Sequence, residues 1–361
     1  MKRVLPIIFV ALVVFAGILL VLPSFIDWNK YRGEIVTQLE NATGHHYEIA
    51  GGLSLAILPF PHVVVEKLSI SSAKGAEPVA AIERVDVSVA LMPLFKGKVD
   101  VSSVSLISPV VKLSVSASGE PSWMTPVLKE KMSKKSDAPA SGESVADAIA
   151  LNDIRIKDGS FSFSDKHSGR TYAVKDIDLS VHGDTLLGPF NGEGSLEYEG
   201  QFIKFEGKTG KKSGDADSMA VQVAVKIPAS STSVSWSGVI ATGERFEIQG
   251  ETALETANVG ALMEFGGGKA PAGLDKPLNL RGILTVSPQQ VVFQNMKLSY
   301  AGASGSGSFA VGNISGDAIP LIAADLSMDG VVDLTDFFPA SAPAKTKEKR
   351  FLPDSVTLPR E

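Results

Sequence analysis

Along most of this chain apolar and polar residues alternate one for one. Val85, Val87, Val89 and Leu91 share one parity, while Arg84, Asp86 and Ser88 take the other. Successive strand side chains point to opposite faces, so this spacing predicts strand with one greasy face. The same pattern recurs at Val111, Leu113 and Val115, at Ile154 and Ile156, at Phe161 and Phe163, and at Ile177, Leu179 and Val181. It continues at Val221, Val223, Val225 and Ile227, at Phe246 and Ile248, at Leu284 and Val286, and at Met296, Leu298 and Tyr300. Turn signals stand between these segments at Asp158-Gly159, Ser168-Gly169, Glu199-Gly200 and Asp329-Gly330. The parity slips at Ser102-Ser103, where Val99 and Val101 give way to Val104 and Leu106, which predicts a β-bulge. The expected fold is mainly β: an extended, strongly twisted, antiparallel-rich sheet whose apolar face forms a groove. Lys129 to Ala148 reads as a flexible linker, and Gly207 to Ser218 and Gly266 to Lys276 as long hairpin loops.

The first residues break this alternation. Val4 to Leu22 is apolar apart from Pro6 and Gly17, long enough to predict a transmembrane anchor over 4–22. A cleaved signal peptide is the competing reading, but Val21 and Pro23 occupy places where small residues are needed. Lys2 and Arg3 leave a cytoplasmic tail of residues 1–3, with the bulk of the chain in the periplasm and a single pass through the inner membrane. Residues 23–44 predict a juxtamembrane amphipathic helix. Trp28, Tyr31, Ile35 and Leu39 share its face, Ser24 or Asp27 caps its start, and Gly44 ends it. Trp28 and Tyr31 either anchor at the membrane interface or pack on the first strands. The remaining divisions are a first β region at 45–128, the linker at 129–148, a continued β-groove region at 149–338, and a tail at 339–361.

Composition narrows the chemistry. The net charge is −6 with basic residues scattered, which speaks against a nucleic-acid partner. The chain has no cysteine, which suits an oxidising compartment. No catalytic, metal or cofactor set emerges, and the protein is expected not to be an enzyme. Adjacent His45 and His46 point different ways and chelate poorly, and Asp165 with His167 reads as a solvated hairpin tip. Gly266-Gly267-Gly268-Lys269 and Gly210-Lys211-Lys212-Ser213 lack the spacing and following helix of a phosphate loop. Gly302 to Gly307 reads as small residues in close packing rather than a dinucleotide fingerprint.

Several short motifs follow one another along the chain: Asp27-Trp28-Asn29-Lys30-Tyr31, Thr43-Gly44, Ile49-Ala50-Gly51, Pro59-Phe60-Pro61 and Met92-Pro93-Leu94-Phe95-Lys96-Gly97. Ser108-Pro109-Val110-Val111, Gly119-Glu120-Pro121-Ser122-Trp123 and the strand-turn-strand unit Ile154 to Phe161 come next. In their order and spacing these motifs resemble the AsmA-like proteins of Gram-negative envelopes. His45-His46 and Ser122 depart from the family pattern, and the chain is short for the family. The resemblance implies a role in outer-membrane biogenesis and phospholipid movement between membranes. On that reading the alternating residues named first, Val85 to Leu91, Val111 to Val115 and Ile177 to Val181, hold phospholipid acyl chains. About fifteen strands at roughly 4.8 Å spacing give a groove on the order of 70 Å long. The alternative is an envelope scaffolding factor acting on outer-membrane assembly proteins through exposed sheet edges.

Overall fold

A computed structural model describes residues 27–56, 61–90, 100–127, 129, 151–183, 188–211, 218–242, 246–266, 268–270, 273–314 and 321–329. A 3-10 turn at Trp28–Tyr31 leads into helix α1 (Arg32–Thr43). The Asp27 carboxylate accepts the Asn29 backbone N–H at 3.2 Å, and Gly44 closes the helix at φ +74° with its N–H on Glu40 O.

The rest is one sheet. Its first strands are β1 (His46–Ile49), β2 (Leu53–Ala56), β3 (His62–Ser71), β4 (Pro78–Val89), β5 (Val101–Val115) and β6 (Leu151–Asp165). Then follow β7 (Arg170–Gly183), β8 (Phe190–Tyr198), β9 (Gln201–Thr209), β10 (Ser218–Ile227) and β11 (Thr232–Ala241). The last are β12 (Glu247–Thr256), β13 (Leu278–Val286), β14 (Gln290–Tyr300), β15 (Ala303–Gly312) and β16 (Leu321–Asp329). From β3 to β16 the strands lie side by side in chain order, and β1 and β2 share the outer edge of β3. Neighbours are antiparallel except β5 and β6, which run parallel. A short helix α2 (Val259–Phe265), capped by Asn258 accepting Ala261 N–H at 2.9 Å, joins β12 to β13.

Several strands carry a non-glycine residue with left-handed backbone: Lys67 in β3, Ser108 in β5, Asp158 in β6 and Asp176 in β7. These residues are at the same level. Glu66 and Leu68 pair with Arg84 and Ile82, which pair in turn with Ile107 and Pro109, and Ile107 pairs with Lys157. Apolar parity switches at this line, from Val63 and Val65 to Leu68 and Ile70, and from Val104 and Leu106 to Val111 and Leu113. A residue out of extended phase turns the alternation by one, so the switch keeps the apolar set on one face. Pro109, which has no N–H for the ladder, is tolerated at such an irregularity.

The outcome corrects several expectations. Asp158-Gly159 is no turn: β6 runs straight through it, and the apparent strand-turn-strand unit is one strand with a crease. The residues 266–276 are preceded by α2, which the alternation did not reveal. The transmembrane helix expected in the fold is also corrected. Among the described residues no helix is long and apolar enough to cross a membrane; α1, with 12 residues, is well short of the ~20 a span needs. The run 4–22 and the linker 130–148 lie outside the described residues. The bulge expected at Ser102 is present, since Ser88 pairs with Ser103 and Val89 with Val101. Glu199 (φ +49°) and Gly200 (φ +74°) form the expected hairpin tip, and Gly169 (φ +71°) lies in another.

Candidate functional site: an uncovered apolar row

Cross-strand register shows which residues share a face. Starting at Leu53 in β2, the partners run Val65, Val85, Leu106, Ile156 and Leu179. They continue through Gly194, Phe205, Val225, Val234 and Leu254. Leu280, Leu298, Gly305 and Met328 complete the row. Every strand from β2 to β16 therefore contributes an apolar residue or glycine at one level. A second row beside it runs Leu55, Val63, Val87, Val104, Ile154 and Val181. Across the crease, Ala80, Val111, Phe161 and Val174 form a third.

The row is not a core. From β3 to β14 each of its side chains is half-buried, the cover that strand neighbours alone provide. Leu53 is 5% exposed at one end and Met328 42% at the other. The opposite face reads Asp86, Ser105, Arg155, Ser180, Glu193 and Glu206, then Ala224, Ser235, Ala253, Arg281 and Lys297. Among the described residues the sheet is thus a single layer, greasy on one side and polar or charged on the other.

A hollow of about 590 Å³ opens on the polar face, where Ser105, Ser180 and Ser195 lie between the longer Arg155, Glu193, Lys204 and Glu206. Long charged side chains rise higher than the serines between them, so they build the walls of this hollow. On the apolar face, glycines make room for large neighbours. A Cβ on Gly194 would meet Asp178 O at 2.5 Å and the Phe205 ring at 2.7 Å. Trp236 and Thr252 pair across strands in the row beside Val223, and neither the indole N–H nor the hydroxyl has a hydrogen-bond partner.

Of the residues expected to line the site, Val85, Leu179, Val87 and Val181 fall in the two adjoining rows. Val89 continues their parity and pairs with Val101, Ile177 packs over Gly159 at the crease, and Leu91 lies outside the described residues. Val111 and Leu113 lie beyond the crease, Leu113 opposite Phe163, and Val115 ends the strand opposite Asp165. The contributions of β8, β9, β11 and β15 were missed, because glycine and isolated Phe205 or Val234 give short, weak alternation.

Trp28 and Tyr31 stack at 5.7 Å, tilted by 48°. Tyr31 at the end of the 3-10 turn and Ile35 and Leu39 on α1, spaced four apart, are all exposed. His45 bonds Trp123 O at 3.1 Å, and His46 meets Glu40 at 2.5 Å, so the two rings go to different partners. Among the described residues no group of three or more His, Cys, Asp or Glu could hold a metal ion. The Asp165 carboxyl lies below the usual aspartate range because the Ser168 hydroxyl donates to it at 2.7 Å and the His167 N–H at 2.9 Å.

The sequence model of the AsmA family matches residues 1–309 of the 361. The chain belongs to the AsmA family. It is also similar to Protein AsmA of Escherichia coli (strain K12), 20% identical over 201 residues. That stretch covers 56% of this chain and 31% of the E. coli protein, so this AsmA-family chain matches under a third of its relative's length.

Proposed function

We propose that this AsmA-family protein serves outer-membrane biogenesis in the Gram-negative envelope by holding phospholipid acyl chains on its apolar face. The unbroken row from Leu53 to Met328 carries this reading. Acyl chains gain about 0.8 kcal/mol per methylene removed from water, and a half-covered row of Val and Leu offers that surface without a cavity having to open. Head groups would remain in water beyond the strand ends. The protein works at the periplasmic side of the inner membrane, with the exposed Tyr31, Ile35 and Leu39 stripe against the membrane surface. It binds and presents lipid rather than transforming it.

A photo-crosslinking residue at Val87 or Val234 should capture phospholipid in cells, while one at Ser88 or Ser235, on the opposite face, should not. Equal capture at both faces, or none at Val87 and Val234, would overturn the reading.

A further inference from the structure

We infer that helix α2 and the segment returning from it cover one end of the apolar face, so that acyl chains lie along the strands with their methyl ends against α2 and their head groups toward the other strand ends. This rests on the lipid-holding reading above and gives it a direction. Two residues beyond the apolar row, Ile227 pairs with Thr232, Thr256 with Leu278, and Leu278 with Tyr300. All keep the parity of that row. The Phe265 ring at the end of α2 meets Tyr198 edge-on at 5.6 Å. The chain then turns back: Tyr300 donates its hydroxyl to Gly273 O at 2.6 Å, and the Gly260 N–H donates to Leu274 O at 2.6 Å. Tyr198 and Tyr300 have the parity of Gly194 and Leu298, which places α2 and its return on the apolar side.

Burial follows this cover. Ile227 is 4% exposed and Thr232 3%, whereas Val223, four residues earlier on the strand and face of Ile227, is 38% exposed. The Thr232 hydroxyl lies 2.7 Å from that of Thr256 and 2.8 Å from that of Ser230, so these three groups are spent on one another and offer a head group nothing. An amphiphile on this face therefore turns its apolar end here. From Leu278 to Val286 on β13 the face measures roughly 27 Å at about 3.4 Å per residue. The chains of one leaflet occupy roughly 15 Å, half of the ~30 Å hydrocarbon core of a bilayer. A strand thus has length for one acyl chain, not for two end to end.

The full-length chain, reconstituted in phosphatidylethanolamine vesicles, tests this with two photoreactive lipids, one carrying a diazirine at the end of an acyl chain and one carrying it on the head group. After irradiation and digestion, the chain-end probe should label the stretch around Leu278 at least five-fold more than the stretch around Val286. The head-group probe should do the reverse. Phe265→Ala uncovers the end, so with circular dichroism unchanged it should cut the preference of the chain-end probe at least three-fold. Should that variant lose its fold, the labelling of the unaltered chain decides alone. Equal labelling of the two stretches by either probe, the opposite preference, or a preference unmoved by Phe265→Ala would each overturn the inference while leaving lipid held on this face. Labelling of neither stretch by either probe would overturn the lipid-holding reading itself, and the inference with it.

Discussion

The Ser108 hydroxyl donates to Asp158 Oδ2 at 3.0 Å, joining the two parallel strands at residues that both hold left-handed backbone. The Asp158 N–H in turn donates to Asp178 Oδ1 at 3.0 Å in the next strand. Aspartate tolerates this conformation and β-branched residues do not. Asp158→Val should therefore cost about 1–3 kcal/mol in urea denaturation. Asp158→Gly, which adopts φ +55° freely, should stay within about 1 kcal/mol.

Gly250 tests the close packing of the apolar face. A Cβ there would meet Ser237 O at 2.5 Å, Gly238 Cα at 2.7 Å and the Trp236 ring at 2.8 Å. Gly250→Val should destabilise by about 1–3 kcal/mol and red-shift indole emission as Trp236 is displaced. Gly207→Ala, whose Cβ would find nothing closer than 3.5 Å, should leave Tm within a degree or two of the unaltered chain.

Thr252 buries a hydroxyl without a partner. Thr252→Val keeps the shape and removes the unsatisfied group, so it should stabilise by about 1 kcal/mol, read as a higher urea midpoint at unchanged slope. A lower midpoint would mean that the hydroxyl has a role on this face.

Asp165 predicts a pH response of the β6–β7 tip. Its carboxyl titrates below the ordinary aspartate value in the folded chain because Ser168 and His167 donate to the ionised form. The added order of the tip is therefore complete above the unfolded pKa and lost as pH falls through the lowered folded value. Ser168→Ala should raise the Asp165 midpoint in an NMR titration toward that of a free aspartate, and at neutral pH should leave the fold unchanged.

Strand identity was legible where β-branched residues alternate with Ser, Asp or Arg, as from Val85 to Val89, because burial of one face dictates the period. The one-residue slip at Ser102 was equally plain. At Asp158-Gly159 the same dipeptide chemistry that makes hairpin tips instead creases a continuous strand. The difference lies in the neighbours, Ser108 and Asp178, which no local window contains. The apolar row was readable strand by strand, but its continuity was not. It depends on register set by partners up to fifty residues away, as with Leu106 and Ile156. Helix α2 escaped because its seven residues are short and its signal, Asn258 before Val259, is a cap rather than a period.

Because among the described residues each strand from β4 to β15 hydrogen-bonds to its two flanking strands, the sheet behaves as a linear array whose stability sums over adjacent pairs. Removing one hairpin, such as β8 with β9, would bring β7 beside β10 with their directions still compatible and their greasy sides still together. Chain length then becomes a freely variable dimension for evolution: the span of the sheet can be altered two strands at a time, without redesigning an interior.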